Sequence, residues 1–315
     1  MKKYPKVVRH GKTDVHQPGD TVVIWEKLDG SNASFKWERT PVALKWHQKL
    51  RNKLNIGTQF AESRVDFKAF SRNRELDSGN TLNGFYNWAN EHPELELLPE
   101  GLTLYGEWLV PHTVKYKEEC YKKFYLFSVF DENIAQWLPL PEIVALAETF
   151  NLTLAPILAV IEYTNTEALK PYVGQSEMTV EPNTGEGTVI TNQMEGRVDT
   201  STKYVSDAFL ETKQIKYERK DLPETAIWVK ANATPARIDK IIFKLRDENE
   251  LGEVNFQNFG RLAKMVGSAV YDDILEEERD TRPAGFDEKL ARRTVNKVVP
   301  LRIRDFIEKT EGSKN

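Results

Sequence analysis

The sequence predicts an α+β protein in two parts: antiparallel sheets with flanking helices over residues 1–220, then a small all-helical region over residues 221–315. Three observations carry this. Short apolar or alternating runs of strand length dominate the first two thirds of the chain. The first two runs are separated by a hairpin-like spacing, which favours antiparallel pairing. From about Asp221 the strand alternation stops and helical periodicity replaces it.

In chain order, the strand readings are TVVIWEK (21–27), SNASFKW (31–37), LTLYGEWL (102–109), KFYLFSVFD (123–131) and GTVITN (187–192). Helical patterns lie between them at TLNGFYNWANEH (81–92) and PEIVALAETFNL (141–152), the second with Pro141 in its first turn. In TPARIDKIIFKLRDENE, Thr234 suits an N-cap and Pro235 the first helical position. Ile238, Ile241, Ile242 and Leu245 then form one apolar face. Two further helices are read through residues 258–278 and 286–309, and Pro300 should kink or divide the last.

Composition narrows the function classes. A chain of 315 residues with 40% apolar and 29% charged residues can bury a catalytic core, and its net charge of -4 does not advertise nucleic-acid binding. Any grip on a phosphate backbone must come from local clusters. Cys120 is the single cysteine, which excludes an intramolecular disulfide and a cysteine-rich zinc site. No run reaches membrane-span length, and the basic N-terminus lacks a following apolar stretch, so a cytoplasmic, soluble protein without membrane contact is expected. His10, His16, His47, His92 and His112 are dispersed without ligand spacing. Trp25, Trp37 and Trp108 read as core.

The most informative segment is Glu26-Lys27-Leu28-Asp29-Gly30-Ser31-Asn32, between the first two strands. A lysine at the mouth of a hairpin is partly desolvated, and desolvation or a neighbouring cation lowers an amine's pKa toward the nucleophilic form. Alone, the pattern K-x-D-G reads first as a polar turn in which Asp29-Gly30 closes a β-hairpin. Other segments follow it in order: Ser71-Arg72-Asn73, Gly106-Glu107, Phe127-Ser128-Val129-Phe130-Asp131, Glu186-Gly187-Thr188-Val189-Ile190, and a nine-residue phrase from Lys203 to Glu211.

As an ordered set over Trp25 to Glu211, these motifs resemble those of the covalent nucleotidyltransferase superfamily of ligases and capping enzymes. The resemblance implies that Lys27 takes the nucleotide as a phosphoramide. Asn32 matches a position characteristic of the RNA-ligase branch. Arg72 would contact the ribose or the 3′ end, with Arg64 and Arg74 as alternatives. Glu107 would accept hydrogen bonds from the ribose hydroxyls, Phe130 would stack on the purine, and Glu186 would help hold the divalent metal. Lys203 matches the first of two phosphate-contacting lysines, but Val205 stands in the second lysine's place, leaving Lys213 or Lys216 to supply that charge. Glu26, Lys27, Asn32, Arg72, Glu107, Phe130, Glu186 and Lys203 are thus the expected nucleotide-binding set, with Lys27, Lys203 and Arg72 catalytic and Glu186 the metal ligand.

The resemblance further implies an adenylyltransferase domain over 1–220, ATP and Mg²⁺ (or Mn²⁺) as cofactors, and RNA as partner, as nicked duplex, paired ends or an RNA/DNA hybrid. Single-site chemistry requires no oligomer. DNA ligases and capping enzymes usually carry an OB-fold after the catalytic domain, and residues 221–315 lack its short alternating strands. The choice of RNA rests mainly on that contrast. A DNA ligase, a capping guanylyltransferase and a catalytically silent RNA-binding homologue stay as alternatives, the last because of Val205. Lys45, Lys49, Arg51 and Lys53, with Trp46 and His47 interleaved, read either as a strand-guiding cluster or as a solvated amphipathic helix. Lys115, Lys117, Lys122 and Lys123 pose the same choice.

Overall fold

The computed structural model describes residues 2–12, 15–41, 44–54, 63–92, 95, 97–210 and 223–312. Two sheets form the first part. One has the order β1-β11-β10-β2-β9, built from β1 (Val8–Arg9), β2 (Thr21–Glu26), β9 (Ile157–Glu162), β10 (Gly187–Asn192) and β11 (Arg197–Val205). The other has the order β4-β3-β5-β6-β7, from β3 (Ser31–Pro41), β4 (Ser63–Ser71), β5 (Leu102–Trp108), β6 (Phe124–Asp131) and β7 (Gln136–Trp137). The short β8 (Thr153–Leu154) pairs with β6 in parallel, as β1 does with β11, and the other pairings are antiparallel.

The expected hairpin between the first two strands does not form. β2 pairs with β10 and β9, whereas β3 pairs with β4 and β5, so residues 27–30 carry the chain from one sheet to the other. Strand pairing is decided by which partner buries the apolar face, and the sheet-one face of β2 finds that partner 166 residues away, at Ile190 opposite Ile24.

Side-chain alternation divides the apolar residues of this part into three clusters. Phe35, Leu104, Phe124 and Leu126 pack under α2 (Phe85–Glu91) and α3 (Leu140–Thr149), through Phe85, Ala89, Ile143 and Ala147. Between the sheets, Val23 and Trp25 of β2 meet Tyr125 of β6, with Leu28, Leu109 and Tyr116 beside them. The opposite side of β2 buries Val22 and Ile24 against Ile190, Tyr163 and Leu169. Trp25, Trp37 and Trp108 are buried, as expected of core residues.

The C-terminal part is helical: α4 (Glu224–Asn232), α5 (Pro235–Asp247), α6 (Phe259–Glu277) and α7 (Glu288–Gly312). Thr234 caps α5 by accepting from the Arg237 N–H at 3.2 Å, and Ile238, Ile241, Ile242 and Leu245 are buried on one face. α4 was absent from the sequence reading, because its apolar residues follow no clear helical stripe. Pro300 does not divide α7, which is one helix on both sides of it. Val295, Val299 and Ile303 are each at most 1% exposed, so packing against α4, α5 and α6 holds the helix through the missing hydrogen bond. The expected boundary at 220/221, Glu211, Lys213 and Lys216 lie outside the described residues.

The basic stretch near residue 50 forms α1 (Trp46–Leu54), with Lys45, Lys49, Arg51 and Lys53 exposed; the Trp46 and His47 side chains lie outside the described residues. Lys115, Lys117, Lys122 and Lys123 are exposed as well. No helix among the described residues is long and apolar enough to cross a membrane.

Candidate active site

The crossing between the sheets places the K-x-D-G residues where strand ends converge. Lys27 follows β2, its backbone N–H donates to the Gly187 carbonyl at 2.9 Å, and its Nζ lies 2.5 Å from Glu186 Oε2. Glu186 directly precedes β10, the strand beside β2. A lysine and a glutamate 159 residues apart are thus joined by one strand pairing.

Gly30 is required by close approach. A Cβ there would lie 2.6 Å from the Trp108 carbonyl oxygen, and the Gly30 N–H donates to Glu107 Oε1 at 3.1 Å. Glu107 stands opposite Asn32 in the β3–β5 register, so the two side chains share a face. Gly187 is constrained in the same way, because a Cβ would collide with the Tyr204 carbonyl oxygen and come within 2.6 Å of Val205 Cα.

Lys203 extends the group. Val189 pairs with Trp25 on one side and Lys203 on the other, so the three share the face that looks toward the second sheet. Lys203 is buried and its charge acts on Glu186. It also acts on Glu277 at the end of α6, whose carboxyl burial would raise but which Lys203, Lys6 and Lys240 hold below its ordinary value. Val205, opposite Gly187, is buried on the same face, so an aliphatic side chain fills the second lysine's position.

The electrostatics reverse one expectation. Burial does penalise the Lys27 ammonium, but the charges of Glu186, Glu107 and Asp29 outweigh it, and its pKa is raised rather than lowered. Burial pushes the Glu107 carboxyl up to about 8, against the opposing pull of Lys27 and His112. Burial also raises Glu186. Two partly buried carboxylates that feel each other's charge suit a hard divalent cation with oxygen ligands. Among the described residues no group of three or more His, Cys, Asp or Glu side chains is arranged to hold a metal. A cation at Glu186 would therefore complete its shell with phosphate oxygens and water.

Other expected residues fall unevenly around this centre. Arg72 follows the Ser71–Ala33 pair and is exposed beside the Asn32 end of β3. Of its alternatives, Arg74 is ion-paired with Glu250, and Arg64 pairs with Thr40 toward the far end of β4, its side chain outside the described residues. Glu26 is 3% exposed at the end of β2, and burial moves its carboxyl up to about 7 despite the nearby Ser176 hydroxyl.

Phe130 is not brought to the group. Tyr125 stands opposite Glu107, and Phe130 lies five residues further along β6, roughly 16 Å away at strand rise, packed against Trp137. The aromatic of that motif that packs against the inter-sheet cluster is Phe127. β6 carries a bulge at Phe127, where Tyr105 pairs with Ser128 and Gly106 with Leu126, so Phe130, opposite Thr103, shares the face of Tyr125 but at its far end.

Sequence reasoning assigned no chemistry to His112, Tyr116 or Asp247, all of which hold the K-x-D-G loop. The Asp29 N–H donates to Tyr116 Oη at 2.9 Å, and Asp29 Oδ2 accepts from the Thr113 and Val114 N–H groups at 2.8 Å each. His112 Nδ1 is 3.5 Å from Asp29 Oδ1, and its Nε2 is 2.8 Å from Asp247 Oδ2. No local sequence pattern marks these residues, since His112 and Tyr116 meet Asp29 from more than 80 residues along the chain and Asp247 arrives only through the docking of α5.

Solved structures of Naegleria gruberi RNA ligase resemble the chain. The complex with pyrophosphate is 21% identical with a TM-score of 0.45, covering 67% of this chain and 57% of that one. A glutamate-to-alanine variant bound to ATP and Mn is 22% identical with a TM-score of 0.42, covering 61% and 51%. The chain therefore spans little more than half the length of these proteins. No curated protein matches it. The family model described as RNA ligase matches residues 20–205, well over half of the 315, and the chain belongs to the RNA ligase family.

Proposed function

We propose that this protein is an ATP-dependent RNA ligase that joins 3′-hydroxyl and 5′-phosphate ends through AMP carried on Lys27. The observation that carries the reading is the convergence of Lys27, Glu186 and Glu107, from three strand ends, in one partly buried, charged group. Membership of the RNA ligase family and the ATP and Mn bound in the Naegleria gruberi variant agree with it.

In this reading Lys27 Nζ, once neutral, attacks the α-phosphorus of ATP. The N–P bond forms, the bond from the α-phosphorus to its bridging oxygen breaks, and pyrophosphate leaves. Lys203, on the same face, offsets charge on the phosphate oxygens. Glu107 and Asn32 accept and donate hydrogen bonds at the ribose, and Arg72 meets the incoming 3′ end. Glu186 would hold Mg²⁺ or Mn²⁺, which would supply charge neutralisation at the α-phosphate. The charge of Glu186 is the largest of the influences that keep Lys27 protonated, so the same carboxylate governs both the nucleophile and the cation's place. The purine stacks on Phe127 rather than Phe130. A 5′-phosphate end then takes AMP from Lys27, and attack of a 3′-hydroxyl on that activated phosphate releases AMP. The substrate is a nicked duplex, paired RNA ends or an RNA/DNA hybrid, and residues 1–220 and 221–315 act as catalytic and helical domains.

Incubation with Mg²⁺ and α-labelled ATP or GTP tests the reading. Label on the denatured wild-type chain from ATP and none on Lys27→Ala is expected. No label from either nucleotide, or equal label on Lys27→Ala, overturns it. Sealing of nicked DNA but not nicked RNA would overturn the RNA assignment alone.

A further inference from the structure

The C-terminal turn of α5 reaches into the first part of the molecule at the K-x-D-G loop. Asp247 is 3% exposed and has three partners there. Its Oδ2 accepts from Ser31 Oγ and from His112 Nε2, and its Oδ1 accepts from Asn83 Nδ2 at 2.7 Å. The neighbouring residues of the same turn hold the other side of His112. The Phe243 ring stacks on the imidazole at 4.6 Å between centroids, and Arg246 Nη2 donates to the Pro111 carbonyl at 3.0 Å.

The loop is therefore gripped at both ends by one carboxylate. Ser31 is bound directly, and Asp29 is reached through the imidazole, whose Nδ1 faces Asp29 Oδ1. A ring donating from both nitrogens to two carboxylates is the imidazolium form, and both carboxylates favour it: burial would lower the His112 pKa, but Asp247 and Asp29 push it up to about 9. The Asp29 carboxylate is held between the Thr113 and Val114 N–H groups, which donate to Oδ2, and the imidazole facing Oδ1, so the loop takes its set from both sides. Lys27, two residues from Asp29, inherits its position from this arrangement.

We propose that Asp247 and His112 are positioning residues for nucleotidyl transfer, through which docking of the helical region sets the nucleophile loop. The proposal rests on the reading that Lys27 is the nucleophile. It makes α5 part of the machinery of the first chemical step rather than an appendage for the polymer. A loop set about 1 Å off its productive position costs on the order of a hundredfold in rate, whereas ATP, held mainly by other residues, keeps its affinity.

The test is single-turnover labelling of the full chain with α-labelled ATP and Mg²⁺, for wild type, Asp247→Asn, His112→Gln and the double variant, with thermal melts alongside. Each single variant is expected to lose about tenfold or more in the rate at saturating ATP while the apparent KM for ATP stays within about twofold. The double variant should be no slower than the slower single, because both changes break one linkage. Wild-type rates in the singles, a loss confined to KM, or losses that multiply in the double overturn the proposal. If Asp247→Asn melts below the assay temperature, His112→Gln decides by the same rate and KM criteria. Absence of label on wild type would instead refute the Lys27 reading, which keeps the two failures apart.

Discussion

Lys27 Nζ and Glu186 Oε2 lie 2.5 Å apart across the β2–β10 boundary, so the proposed nucleophile and the proposed metal ligand neutralise each other. The contact is only partly open to water, with the lysine side chain 22% and the glutamate side chain 12% exposed. It holds the lysine as an ammonium.

The raised Lys27 pKa sets a pH dependence. Below its folded pKa the amine is charged and cannot attack, so the rate of self-labelling should climb with pH from about 6 to 9, by up to about tenfold per unit. Initial rates at saturating ATP across that range check this. A profile that is flat throughout would contradict the ammonium assignment.

Glu26 gives a stability prediction of the opposite kind. Its carboxyl titrates near 7 in the fold against an ordinary 4.5, so the folded state favours the protonated form. Its contribution is fully present below about 4.5 and is lost as pH rises to about 7, at a cost on the order of 3 kcal/mol from the 2.5-unit difference (7 − 4.5). Glu26→Gln should therefore raise stability at pH 8 and change little at pH 4, as urea unfolding at the two values would measure.

Gly30→Ala and Gly187→Ala each press a methyl group onto backbone, at Trp108 and at Tyr204–Val205 respectively. Neither neighbour is a flexible side chain that could swing away. Each substitution is expected to destabilise by about 1–3 kcal/mol and to lower Lys27 labelling more than that loss alone explains, because it displaces the strand end that carries Glu107 or Glu186. Denaturant melts and labelling rates on the same samples separate the two effects.

The aromatic assignment separates by comparing Phe127→Ala with Phe130→Ala. Loss of a stacking ring should raise the apparent KM for ATP at Phe127 by about tenfold, and Phe130→Ala should leave KM within about twofold while lowering stability through its contact with Trp137. The reverse pattern would restore Phe130 as the purine's partner.

Much of this was legible in the linear sequence because the signals are local. Strand residues 21–26, 102–108 and 187–192 declare themselves by apolar runs, and Thr234 and Pro235 by cap chemistry. β4, β9 and β11 were missed. β4 and β11 mix polar and charged residues into the run, and β9 alternates only half-buried residues on an edge.

What the sequence by itself determined is the helical texture of the C-terminal part and the identity of Lys27, Glu107, Glu186 and Lys203 as a set, since residue type and order are enough for both. Tertiary structure alone decided that β2 and β3 part into different sheets, that Lys27 is held charged by Glu186, that Phe127 packs on the inter-sheet cluster while Phe130 packs on Trp137, and that His112 joins Asp29 to Asp247. Each of these depends on which distant segments share a buried face, and burial and Coulomb interaction act through space without regard to separation along the chain.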